Sequence, residues 1–234
     1  MTTAVGIDDL TAEYEAAYRR KTPKSGELFA KAATAMPGGD TRQSVYFQPY
    51  PLYVQSGKGS RVTDVDGNIL IDFGNCWTAM VLGHAPDKVV EAIVDQAQRG
   101  TAFAAANPHV QELAQMIVDR VPSVDKVRFC NSGSEATMMC VRAARAFTGK
   151  NKVLKFDGGY HGSTDVFEVE MDHVVPGITQ GVADDVLIAK YNDLGEVRDL
   201  VTRYKDDLAC VIVEGLMGAA GMIPPADGFL QGLR

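Results

Sequence analysis

From residue 126 onward the chain alternates short apolar runs with longer amphipathic ones, and this alternation restricts the fold more than any other feature of its 234 residues. The runs 126–130, 152–156, 186–190 and 209–213 are strand-like. Residues 134–148, closed by Gly149, and 194–204 carry apolar side chains at helical spacing. Strands alternating with helices predict an α/β fold, a mainly parallel sheet with helices on both faces joined by right-handed crossovers. With 46% hydrophobic residues the chain is long enough to bury the core of one large domain, or one and a half.

The preceding region reads differently. Two helices are expected between Ile7 and Met36, with Ser25 as an N-cap, and "MPGGDTR" then breaks the pattern. From Leu52 to Phe73 the residues alternate, and Asp66-Gly67 between two strand-like runs predicts a hairpin. Residues 1–75 are therefore expected to form a small helical and antiparallel segment, and 76–234 the first part of a large domain. That domain opens with a helix whose N1 position is Pro86 and a second over 108–121.

The formal net charge of −7, without a basic run, argues against nucleic acid or an anionic membrane as partner and favours small molecules. No apolar stretch approaches a bilayer span, and "MTTAVGIDDL" has neither the basic start nor the apolar core of a signal peptide, so a cytoplasmic protein is expected. Cys76, Cys130, Cys140 and Cys210 are scattered without C-x-x-C. They predict buried small hydrophobes rather than a zinc or other metal site or a disulfide framework.

In a parallel sheet, ligands collect beyond the carboxyl ends of the strands, which directs attention to three loops. The first is Asn131-Ser132-Gly133-Ser134-Glu135. Free N–H groups at a helix start, a glycine, two hydroxyls and the positive end of the helix dipole suit a phosphate. The same residues also spell an S-x-x-E capping box, and both readings stand at this stage. The second loop, "FDGGYHGSTD", brings Tyr160 and His161 to the same sheet end, as for a ligand with a flat ring besides its phosphate. In the third, Glu214 ends the apolar run "ACVIVEG". The P-loop, dinucleotide-binding, hydrolase-elbow and H-E-x-x-H patterns are all missing from the sequence.

Taken together, "MPGGDTR", "VTDVDGNILIDF", "MVLGHAPDKVVEAI", "NSGSEATMMCVRAARAFTGKNKVLKFDGGYHG" and "VIVEGLMGAAGMIPPADGFLQGLR" resemble, in order, the blocks of a class III, fold type I pyridoxal-phosphate aminotransferase. The branch is the one containing glutamate-1-semialdehyde aminomutase and the β-amino-acid transaminases. The resemblance implies that Ser132, Gly133 and Ser134 grip the phosphate of pyridoxal 5'-phosphate, that Tyr160 stacks on its ring with His161 beside it, and that Glu214 is the strand-end acid. Gly215 departs from the proline usual after that acid.

Members of this family are about twice as long, and carry further on an aspartate for the pyridine nitrogen and the lysine that binds the cofactor covalently. The chain stops before both, so it is expected to be the N-terminal part of such an enzyme, without its catalytic lysine. For the intact protein the resemblance implies a homodimer that transfers an amino group from a donor to a keto acid acceptor. Arg42, placed as in the β-amino-acid transaminases, is the candidate for a substrate carboxylate, since a guanidinium fork suits that role. Trp77 resembles the aminomutase pattern. The expected activity is an aminotransferase acting on a carboxylate-bearing amine. Glutamate-1-semialdehyde 2,1-aminomutase is the alternative, and an inactive fragment that only binds a phosphate ligand is the second.

Overall fold

The computed structural model describes residues 6–41 and 45–234, which form two compact units divided between Ala106 and Asn107. In the first unit, α1 (Ile7–Lys21) is followed after Thr22 by α2 (Pro23–Ala32). Pro23 occupies N1, where its missing N–H costs nothing. Ser25 is not the expected cap but a fully buried residue of the first turn. The cap comes from elsewhere in the chain: the Asp66 carboxylate accepts the Lys24 and Ser25 N–H groups at 2.9 and 3.2 Å. The Ser25 hydroxyl oxygen instead accepts the Tyr53 N–H at 3.2 Å. As expected, "MPGGDTR" ends the helical stretch, with a 3-10 turn over Pro37–Gly39. Gly39 has φ 75°, and a Cβ there would press on the Phe29 ring at 2.6 Å.

Strands β1 (Val54–Lys58), β2 (Arg61–Asp64) and β3 (Ile69–Ile71) make the expected antiparallel sheet, in the order β1-β2-β3. Asp64, fully buried, ties the Asp66-Gly67 turn by accepting the Asp66 and Asn68 N–H groups at 3.0 and 2.7 Å. Burial pushes the Asp64 carboxyl up, but the bonds from Asn68, Asp66 and Gly67 outweigh it and hold the group below its ordinary value. Helix α3 (Asp87–Arg99) follows, with Pro86 at its N-cap, one position before the expected N1.

The second unit begins with α4 (Pro108–Arg120), capped by Asn107, and continues with α5 (Gly133–Thr148), which ends on left-handed Gly149. Then come β4 (Lys152–Phe156), α6 (Gln180–Asp184), β5 (Val186–Ala189), α7 (Leu194–Tyr204), β6 (Leu208–Val211) and α8 (Phe229–Leu233). The sheet is parallel, in the order β5-β4-β6. The central strand shows why helices cover both faces. Val153 packs with Val141 of α5 and with Phe167, while Leu154 and Phe156 pack with Val197 of α7 and Phe229 of α8. Side chains alternate across a strand, so β4 feeds two cores at once. Burying Leu154 and Phe156 contributes about 1.5–3 kcal/mol each.

Two sequence expectations fail here. Residues 126–130 form no strand, and Phe129 and Cys130 are exposed. A strand exists only through a neighbour's N–H and C=O groups, and this run pairs with no strand among the described residues. The cysteines are not buried hydrophobes either: Cys76, Cys130 and Cys140 are exposed and Cys210 is half-buried. Cys130 ends the unpaired run, and Cys140 occupies the uncovered side of a helix whose Val141 enters the core.

Candidate cofactor site

The site grows from the first turn of α5 and the loops that follow β4 and β6. Ser132 is extended and its Oγ accepts the Glu135 N–H at 3.2 Å. Glu135 reaches back, and its carboxylate accepts the Asn131 N–H at 2.6 Å. This is a capping box shifted by one residue on its return side. It consumes the N–H groups of Asn131 and Glu135. Those of Gly133 and Ser134 have no intrahelical partner, because they belong to the first turn, and find no acceptor among the described residues. A Cβ on Gly133 would meet nothing within 4 Å, so the space beside that residue is open. The cap and the free donors therefore fall on different residues of the same five-residue stretch.

The loop 157–163, leaving β4, lies on this helix start. The Ser163 N–H donates to Ser134 Oγ at 3.1 Å, and Thr137, one turn further along α5, donates its hydroxyl to the His161 carbonyl at 2.7 Å. Glu214, just beyond β6, accepts the Tyr160 N–H at 3.2 Å and the Gly218 N–H at 3.4 Å. Its own carbonyl accepts the Tyr191 hydroxyl at 3.1 Å. Ser132, Gly133, Ser134, Tyr160, His161 and Glu214 are thus gathered at one end of the sheet. Tyr160 is 62% exposed, and its backbone N–H is the group committed to Glu214.

His161 behaves in the opposite way. It is 7% exposed, stacks at a tilt against Phe167 with 5.4 Å between ring centres, and its Nε2 has no hydrogen-bond partner among the described residues. Desolvation pushes its pKa below the ordinary imidazole value; Lys155 pushes the same way, while Glu214 and Glu170 oppose. Lys155 itself is fully buried on β4. Its ammonium donates to the Phe167 and Val169 carbonyls at 2.8 and 2.9 Å and to Glu170 at 2.9 Å. Three donors with three acceptors leave this amine no proton for another partner.

Arg42 lies outside the described residues. Trp77 belongs to the first unit, in a run from Asn75 to Thr78 whose four φ angles are all positive, and is 56% exposed. Among the described residues no group of three or more His, Cys, Asp or Glu side chains converges as for a metal ion. No described helix is long and apolar enough to cross a membrane. Sequence reasoning missed Thr137, Gly162, Ser163 and Tyr191. Their signal was proximity in the chain to the nest and the aromatic loop, but only the fold shows that they touch it.

A parallel α/β sheet with free helix-start donors and an aromatic loop at its carboxyl end agrees with the class that the sequence resembles, the fold type I transferases. Residues 43–234 match the class-III aminotransferase family, and the chain belongs to it. It is 44% identical over 222 residues to the glutamate-1-semialdehyde 2,1-aminomutase of Flavobacterium johnsoniae, covering 90% of this chain and 52% of that protein. The fold is shared with a solved transaminase with PLP bound, at 41% identity and a TM-score of 0.88, covering 91% of this chain and 52% of the other. It is also shared with a β-phenylalanine aminotransferase from Variovorax paradoxus, at 34% identity and a TM-score of 0.89, covering 98% and 52%. The chain thus spans about half the length of the curated relatives it matches.

The family's cofactor can be tested against these residues. Its phosphate needs hydrogen-bond donors at a helix start, which Gly133 and Ser134 offer, with open space beside Gly133. Its ring needs an exposed aromatic face nearby, which Tyr160 offers. The residues fit.

Proposed function

We propose that this chain supplies the phosphate- and ring-binding half of a pyridoxal-phosphate enzyme that moves an amino group within a carboxylate-bearing amino aldehyde, as its curated relatives' name, glutamate-1-semialdehyde 2,1-aminomutase, describes. The observation that carries this reading is the 44% identity over 90% of the chain, which includes the whole nest and aromatic loop. It replaces the sequence expectation of an intermolecular aminotransferase as the first reading.

The backbone N–H groups of Gly133 and Ser134 and the Ser134 hydroxyl hold the phosphate, and the α5 dipole adds its positive end. Ser132 and Glu135 keep that first turn closed. Tyr160 covers one face of the ring, its backbone held by Glu214. His161 lies buried beneath the loop, where desolvation holds its pKa below the ordinary imidazole value and so disfavours the charged form. When bound, the cofactor supplies an electron sink for the carbon that bears the nitrogen. No lysine of the site is available to attach it, since Lys155 is fully engaged. The covalent attachment, a homodimeric assembly and a cytoplasmic location belong to the proposal for the longer protein, as does a contribution from Arg42 and Trp77 to substrate binding.

A second reading has its own support. The solved transaminases at 41% and 34% identity favour transfer from an amino donor to a keto acid. Incubating the longer protein with glutamate-1-semialdehyde and no keto acid separates the two. Isomerisation, with the amino group moved from C2 to C1, is the expected result. Product that appears only when a keto acid is added, matched by an equal amount of new amino acid, would overturn it in favour of the transaminase.

A further inference from the structure

We propose that Thr137 and Gly162 are positioning residues for the anion nest, docking loop 157–163 on α5 so that the Ser163 N–H orients the Ser134 hydroxyl as a hydrogen-bond donor to a phosphate ester. The inference rests on the cofactor reading above and extends it to residues outside the phosphate-gripping triplet.

Three contacts carry it. Ser134 Oγ already accepts the Ser163 N–H at 3.1 Å, so its own proton points away from Ser163, and it finds no acceptor among the described residues. A hydroxyl has one proton to give, and here that proton is left for a ligand. The approach that makes this bond possible depends on Gly162, which has φ 97°. A Cβ there would lie 2.7 Å from Ser134 Cα, which real side chains do not tolerate, so any larger residue forces loop and helix apart. Thr137 supplies the latch. Its hydroxyl lies 2.7 Å from the His161 carbonyl oxygen, nearer than the 3.1 Å to the Gly133 and Ser134 carbonyls of its own helix, and gives its one proton there, bridging the residue before Gly162 to the second turn of α5. A separate observation concerns the inner side of this loop: the buried His161 Nε2 is without a partner among the described residues and lies 3.2 Å from where a Gly159 Cβ would stand.

The test uses the 234-residue chain with 4-deoxypyridoxine 5'-phosphate, which has no aldehyde to react with lysines, and with unphosphorylated pyridoxine as reference. Thr137→Val keeps the shape and removes the latch. It is expected to weaken the phosphorylated ligand by about tenfold, the loss of one well-placed hydrogen bond, and to leave pyridoxine unchanged. Thr137→Ser restores the hydroxyl and is expected to recover parental affinity. Gly162→Ala should lose at least as much as Thr137→Val. Without ligand, amide hydrogen exchange at Ser163 should be faster in Thr137→Val than in the parent. Thr137→Val binding as the parent does, equal losses for both ligands, or unchanged exchange at Ser163 would each overturn the inference. If the parent chain shows no preference for the phosphorylated ligand, the cofactor reading itself fails and this inference falls with it. A retained parental preference with unaffected variants sinks the inference alone.

Discussion

Ser134 is the residue on which the nest and the loop converge, and its substitution separates anion binding from helix capping. Because Ser132 caps α5, Ser134→Asp leaves the cap intact while placing a negative charge among the donors. At short range such a repulsion is worth a few kcal/mol, so affinity for 4-deoxypyridoxine 5'-phosphate is expected to drop about a hundredfold. The urea midpoint should move little. Equilibrium dialysis alongside a denaturation curve checks both, and undiminished affinity would reduce the stretch to a cap. His161 gives a pH signature. Its folded pKa is depressed by desolvation below the ordinary value of about 6.5. The unfolded chain therefore binds the proton first as pH falls. The stability contributed by the neutral, buried ring is present above about pH 6.5 and is lost as pH falls below it, through the depressed folded value. Asp64 and Asp72, also depressed, act in a lower window, below the ordinary carboxylate value of about 4. Urea midpoints measured from pH 7.5 to 5 should fall in the parent and fall less in His161→Gln. Parallel curves would remove the imidazole as the cause.

Among the elements, α2 and the hairpin depend on each other through one carboxylate. Asp66 occupies the turn that the sequence marks as a hairpin and at the same time caps α2 through the Lys24 and Ser25 N–H groups. Removing it costs a cap, about 1 kcal/mol, and frees two N–H groups of a helix start whose N1 residue is a proline. Asp66→Ala is therefore expected to lower the urea midpoint of the first unit and to raise amide exchange at Lys24 and Ser25, while Asp66→Asn retains part of the cap. Exchange that rises only within the hairpin turn would show that the helix does not use it. The unpaired run 126–130 is the counterpart. Its residues alternate as in a strand, but pairing is a property of two segments, and no described strand pairs with it.

For the whole molecule, the uncovered apolar side chains decide behaviour. Ile93 and Val94 of α3 are 62% and 52% exposed, and Phe147 of α5 is 92% exposed. Exposed apolar side chains on this scale mark surfaces that associate. The 234-residue chain on its own is expected to self-associate in a concentration-dependent way, measured by light scattering, and charged substitution of Ile93 or Phe147 should reduce it. A monodisperse monomer at high concentration would contradict this. Treatment with pyridoxal phosphate and borohydride should label exposed lysines at low, scattered occupancy and spare Lys155, whose ammonium is buried and fully bonded. Stoichiometric labelling of Lys155 would mean that its clamp opens.

What the amino-acid order determined by itself was local or periodic. The alternation from residue 152 onward specified strands at Lys152–Phe156 and Val186–Ala189 and the helix Leu194–Tyr204 almost to the residue, because period and turn chemistry are written along the chain. The S-x-x-E spacing likewise specified the cap on α5, and the blocks of the family resemblance pointed to the same nest. Only the tertiary structure decided what depends on segments distant in sequence. It moved the cap of α2 from Ser25 to Asp66, 41 residues away, where geometry put a free carboxylate beside two free N–H groups. It denied residues 126–130 a ladder and left three of the four cysteines on the surface. It also brought Thr137, Gly162 and Ser163 onto Ser134, since a hydrogen bond across 29 residues exists only once β4 and α5 have packed through Val153 and Val141.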